Sequence, residues 1–245
     1  MICAIHQPQY LPWLGYLSKL DAADVFVIYD DTQYKHDEWQ NRNRIRTAAG
    51  VQWLTVPVHH SRGELIRDVA IDNSLPWARK HANALSTHYG RALFYGEHAG
   101  EFQDLYAARW ERLADLNLAT IELLCRLFGI GTRIVRSSGL DYEGRATDAL
   151  VSICRAVGAD TYLSGPGGRD YLEAGKFGGQ SGVALCFHDF DHPAYAQSAA
   201  RGADFVPCLS SVDLLFNCGP DGPAVLRSGR RISSQSEAEC QKEAR

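Results

Sequence analysis

No stretch of this sequence approaches the roughly eighteen consecutive apolar residues of a membrane-spanning helix. The opening Met1-Ile2-Cys3-Ala4-Ile5-His6 has no basic n-region, so no signal peptide is expected, and the reading is a cytoplasmic protein without a membrane partner. None of the seven cysteines stands at C-x-x-C spacing, which argues against zinc sites and a disulfide scaffold. Charge of one sign is also missing. A net charge of −4 gives no general attraction to phosphate polymers, so nucleic acid is not an expected partner. Neither G-x-x-x-x-G-K-[ST] nor G-x-G-x-x-G occurs, and no internal repeat is found.

What is present is ample apolar material, 45% of 245 residues, enough for one large core. Two strand-like runs, Ile2 to Ile5 and Val25 to Tyr29, each end in a polar knot, His6-Gln7-Pro8-Gln9-Tyr10 and Asp30-Asp31-Thr32-Gln33. Continuous apolar runs suit parallel strands buried on both faces, and ligands of open α/β sheets collect at the carboxyl ends of such strands. Between them Leu11, Leu14, Leu17 and Leu20 recur at helical spacing, with Pro12 suited to a first turn. The pattern predicts a βαβ unit whose two strand ends lie side by side.

Residues 30–50 read as a long polar loop. Trp53 to Val58 predicts a strand, pushed toward a sheet edge by Pro57, with Val69-Ala70-Ile71 as its partner. A helical section of about residues 76–130 follows, closed by Gly129, then a strand near Thr132 to Val135 and a helix over Ala146 to Val157 closed by Gly158. Thr161 to Leu163 predicts a strand running into Ser164-Gly165-Pro166-Gly167-Gly168, Val183 to Phe187 another, and Ser210 to Cys218 a short helix. The sum is an α/β fold, a Rossmann-like, mostly parallel sheet with a helical middle section, in one domain over residues 1–228. Residues 229–245 have little to bury and read as a disordered tail.

His6 at a rigid strand end suits acid–base work, or it fixes the loop by hydrogen bonds. Asp30 and Asp31 could hold a metal, orient His6 or bind an amine, or one could cap a turn. Gln7, Tyr10 and Gln33 flank them. Asn41, Arg42 and Asn43 offer planar amides and a guanidinium fork for a carboxylate, phosphate or sugar, or form a solvated loop. Ser164 and Gly165 could present backbone amides to an anion or make a plain turn. Asp213 and Asn217 stand four apart on the short helix and could face one partner. Cys154 and Cys208 lie in no nucleophile motif and read better as core thiols. No metal site is predicted.

With these residues in view, the chain resembles the WbqC-like protein family over about residues 2–227. The resemblance is carried by His6 to Tyr16, Asp24 to Gln33, Gln40 to Ile45, Trp53 to Val58, Tyr162 to Gly165 and Leu209 to Asn217. It implies an enzyme of O-antigen sugar or natural-product pathways that acylates or aminoacylates an amine, with a carrier-bound or otherwise activated donor. An acyl or peptidyl carrier protein and a small amine acceptor are then the partners, and no cofactor is implied. A weaker resemblance to nucleotidylyltransferase-like folds lacks the His-x-Gly-His signature, since Gly15-Tyr16 stands in its place. Nucleotidyl transfer or ligation with Mg²⁺ and ATP is the enzymatic alternative, and a non-catalytic sugar- or carrier-binding module is the other.

Overall fold

A computed structural model describes residues 1–198 and 204–235. Its centre is a six-stranded sheet of β1 (Ile2–His6), β2 (Val25–Ile28), β7 (Arg133–Arg136), β8 (Thr161–Ser164), β9 (Ala184–Phe190) and β10 (Arg230–Ser234). The spatial order is β10-β9-β8-β1-β2-β7. All pairings are parallel except β9 with β10. The connections from β1 run outward through β2 to β7, and β8 then returns to the other side of β1. The gap between the carboxyl ends of β1 and β8 is therefore the point where the winding reverses, the place an open α/β sheet offers to a ligand.

Alternation along the strands splits the core into two layers. Ala4, Phe26, Ile28 and Leu163 face α1 (Leu14–Asp21) and the helical middle, α2 (Trp77–Tyr89), α3 (Tyr95–Ala107) and α4 (Leu113–Leu127). Cys3, Ile5, Val25, Val27, Tyr162 and Leu185 face α5 (Thr147–Ala156). Full burial on both faces explains why these strands read as unbroken apolar runs. Helix α1 is buried from Leu14 through Leu20, with α7 (Val212–Cys218) and α8 (Gly222–Ser228) packed in the same layer. Gly15 is required there, because a Cβ would stand 2.2 Å from the Trp13 indole.

Three expectations are corrected. Pro12 is not in the first turn of α1, which starts at Leu14 behind Trp13; the chain first passes through Leu11 at φ 42°, a strained conformation for a leucine. Residues 30–50 are not all loop. Arg42–Thr47 (β3) and Gly50–Thr55 (β4) form an antiparallel hairpin whose Asn43 and Ile45 turn inward. The expected strand from Trp53 to Val58 is divided: Trp53 to Thr55 pair with β3, and only Val58, with His59 (β5, Val58–His59), pairs with Ala70–Ile71 (β6).

The third correction concerns the tail. Arg230–Ser234 is β10, laid on β9, so the expected disorder does not begin at residue 229; residues 236–245 lie outside the described residues. The strand is held without much apolar burial. Backbone pairing and arginine–carboxylate contacts do this instead, Arg230 to Asp21, Arg231 to Asp191 at 2.8 Å, and Arg169 to both Asp189 and Ser233. A charged edge strand also blunts the sheet edge against further pairing.

Candidate functional site

A cleft of about 460 Å³ opens at the ends of β1, β2 and β8, within the range of small-molecule sites. Ile5, His6 and Gln7 come from the end of β1, Tyr29 from the end of β2, and Tyr162 and Gly165 to Gly168 from β8 and its loop. Lys19 reaches in from α1, Lys35 from the loop after β2, and Tyr171 from the short helix α6 (Gly168–Tyr171).

His6 shares its sheet face with Ala4 and meets Tyr16 of α1 edge-on, with ring centroids 4.8 Å apart. Its Nδ1 lies 3.0 Å from the Gln7 carbonyl oxygen. A carbonyl only accepts, so Nδ1 carries the proton and the lone pair sits on Nε2, which has no partner among the described residues. Burial, then the charge of Lys19, pull the imidazole pKa down to about 3, so the ring is neutral throughout the neutral range.

Gln7 donates to the Thr32 hydroxyl at 2.9 Å and accepts from Gln40 at 2.9 Å, so its amide is fixed from both ends. The Gly-rich loop divides into two kinds of glycine. At Gly168 a Cβ would fall 2.0 Å from the Ser164 hydroxyl, so close packing requires glycine there. At Gly165 and Gly167 a Cβ would meet nothing within 4 Å, and neither has a left-handed φ. These two leave the wall of the cleft low. Ser164 itself is buried beneath the loop and bonds the Gly165 carbonyl at 3.1 Å.

Lys19 is the residue that sequence reasoning missed. It is 4% exposed and its ammonium donates to the Ile5 carbonyl at 3.0 Å. Burial brings its pKa down to about 7. Behind it, Ser18 and His188 Nε2 lie 3.0 Å apart, and burial lowers His188 to about 4. Lys35, Tyr29, Tyr162 and Tyr171 were also unforeseen. A signal for Lys19 existed: the stretch Leu14 to Leu20 is apolar or small nearly all round, so it offers a lysine no solvated face.

The two aspartates stand beside the cleft and do not line it. Asp30 is fully buried and takes Arg136 Nε at 2.5 Å, the Ser137 hydroxyl at 3.2 Å, the Ser138 amide at 3.1 Å and the Ser138 hydroxyl at 3.0 Å. Asp31 accepts from the Ser137 hydroxyl and from Tyr142 at 2.8 Å. Neither contacts His6, whose ring is oriented by a backbone carbonyl, so the expected orienting role falls. A metal role has no support either: no cluster of three His, Cys, Asp or Glu suited to a metal occurs among the described residues.

The remaining candidates serve the framework. Tyr10 is buried with its hydroxyl 2.8 Å from His81 and 2.6 Å from Tyr106. Asn41 holds the Val56 carbonyl at 2.9 Å, and Asn43 bonds the carbonyls of Leu11 at 2.7 Å and Tyr10 at 3.3 Å, securing the strained turn before α1. Arg42 pairs with Asp37 at 2.9 Å and lies over the Trp53 ring at 4.6 Å. Gln33 is exposed in a bridge to Leu65. Asp213 accepts from Tyr89 at 2.8 Å and from Tyr195 and Gln197 at 2.9 Å each, while Asn217 bonds the Asp213 carbonyl and Ser198. The expected joining of Asn41, Arg42 and Asn43 to the strand ends in one pocket is therefore not met. Cys154 is a buried core thiol as expected, its pKa raised by the neighbouring Cys3 thiol and then by burial; Cys208 is only half-buried and not part of the core, though burial raises its thiol pKa too.

Comparison with known proteins gives concordant results. The sequence profile described as the WbqC-like protein family matches residues 7–225. An uncharacterized protein of Mycobacterium tuberculosis is 35% identical over 234 residues, covering 93% of this chain and 98% of that relative. No solved structure gives a significant match. Among the described residues, no helix is long and apolar enough to cross a membrane.

Proposed function

The chain belongs to the WbqC-like protein family, and from that premise we propose that it is an acyl or aminoacyl transferase that forms an amide on an amine acceptor in the β1/β8 cleft. The observation that supports this reading is the His6 imidazole, which lines the cleft, is uncharged and fixed by the Gln7 carbonyl, and whose Nε2 has no partner among the described residues. Amide formation needs a proton acceptor and little else from the protein's own acids and bases. The acceptor nitrogen attacks the carbonyl carbon of an activated acyl group, for which a carrier-bound thioester is the proposed form. The C–N bond forms, Nε2 takes the nitrogen's proton, and the tetrahedral centre expels the thiolate as the C–S bond breaks. The proton then leaves with the thiol.

A desolvated imidazole is a weak base in the empty cleft. Burial is the larger cause of the low pKa and Lys19 the second, and a developing oxyanion beside the ring offsets the Lys19 part. Backbone and amide dipoles at Gln7 and the Gly165 loop lie on the same cleft and suit an oxyanion.

The test is mass spectrometry of the purified protein with carrier-bound acyl and aminoacyl donors and amine acceptors. The expected result is an amide product whose formation falls by about 100-fold or more in His6→Ala, with unfolding temperature within the range of wild type. Near wild-type turnover in His6→Ala removes the base role. No product from any donor removes the transferase reading, and an ATP-dependent product with Mg²⁺ replaces it by ligation.

A further inference from the structure

Lys19 is a buried amine that forms no ion pair with a carboxylate among the described residues. Three aspartates of the surrounding elements are committed elsewhere: Asp21 of the same helix to Arg227 and Arg230, Asp30 after β2 to Arg136, and Asp189 of β9 to Arg169. No ion pair to Lys19 occurs among the described residues, and the cleft lining contains two lysines and no aspartate or glutamate. The groups packed around its ammonium are the Ile5 carbonyl, His6 and Cys3 of β1, Phe26 of β2 with its ring centroid 5.9 Å away, and the Ser18–His188 pair. None of these is a carboxylate.

A hydrogen bond to one carbonyl does not explain the residue. A buried cation without a counter-ion is strongly unfavourable, whereas a methionine would fill the same volume at no electrostatic penalty. One hydrogen of the ammonium is used on Ile5, which leaves two to donate, and Lys19 forms part of the lining of a cleft large enough for a small molecule. Such a site is half of an ion pair.

We infer that the cleft binds its ligand through an oxyanion, a carboxylate or a phosphate group, seated against Lys19, with Lys35 adding attraction at the exposed side. The inference rests on the cleft being the substrate site and gives that substrate its chemistry: one of the two reactants carries an anionic group near the reacting bond. It also couples the two basic residues. Burial first and Lys19 second hold the His6 pKa down, and an anion on Lys19 offsets the second, so the base gains strength when the site is filled.

The test is isothermal titration calorimetry of the whole protein with inorganic phosphate and, separately, acetate, with no turnover involved. The expected result is saturable binding of at least one of the two, weakened about tenfold or more in Lys19→Met and less in Lys35→Met. Phosphate binding alone assigns a phosphorylated reactant, and acetate binding alone a carboxylate. Lys19→Met should unfold at the same or a higher temperature than wild type, so lost binding is not lost folding. The inference is overturned if neither anion saturates by tens of millimolar, or if Lys19→Met binds as tightly as wild type. Because binding is read alone, it stands or falls apart from the transfer reaction.

Discussion

Two polar corners flank the end of β2, and they are built on opposite terms. At the β2–β7 corner, Asp30 receives four hydrogen bonds from Arg136, Ser137 and Ser138, and Asp31 is held by Ser137 and Tyr142. At the β1–β8 corner, among the described residues, Lys19 has one carbonyl partner and no carboxylate, and His6 Nε2 has no partner. Both corners are polar groups on an apolar sheet. The first has spent its hydrogen-bonding capacity on the fold, and the second keeps it for something else. Buried polar groups that are fully paired build structure, and those left partly paired at a cavity mark where a ligand completes the set.

The largest effect that sharpens the contrast is expected at the satisfied corner. Asp30→Ala leaves Arg136 without its buried partner and should lower stability by about 3–5 kcal/mol in urea unfolding. Should the variant unfold like wild type and lose only turnover, the corner would belong to the site and the contrast would break. Lys19→Met probes the other corner through pH. The folded-state pKa of about 7 lies below the unfolded value of 10.5, so the unfolded chain binds more protons between these values. Wild-type stability should therefore rise by about 2–4 kcal/mol from pH 7 to pH 10 relative to Lys19→Met, which lacks this term. Equal pH profiles for the two proteins would mean that the ammonium is solvated and not held back. The smallest effect belongs to neither corner: Trp53→Ala on the exposed hairpin face, where Arg42 and Arg44 lie over the ring, should cost under about 1 kcal/mol.

The sheet was legible because burial on both faces writes itself as apolar runs, and the cleft's address followed from where Ile2 to Ile5 and Thr161 to Leu163 stop. The assignment of roles was not legible for Asp30, because its partners Arg136, Ser137 and Ser138 lie more than a hundred positions away and only β2–β7 pairing brings them near. Asn43 misled for a related reason. Its amide looks like a ligand hook, and only the folded turn shows that it is needed by the carbonyls of Tyr10 and Leu11. Lys19 was passed over since a helical lysine normally lies on a wet face, and α1 has none because β9, α7 and α8 close over it. The strand at Arg230–Ser234 carried no apolar signal, being held by backbone pairing and arginines.

The position of β1 within the sheet sets the order in which the molecule can be assembled. Ile2 stands opposite Thr161, far along the chain, and α1 behind it is clasped at Asp21 by Arg227 and Arg230. During synthesis β1 must wait, flanked by β2 alone, until Thr161 to Ser164 have emerged, and its helix stays unlatched until Arg227 and Arg230 follow. Such distant pairings close slowly and leave apolar edges uncovered meanwhile. The cleft therefore cannot exist in a nascent chain that stops short of β8 and the Gly165 to Gly168 loop.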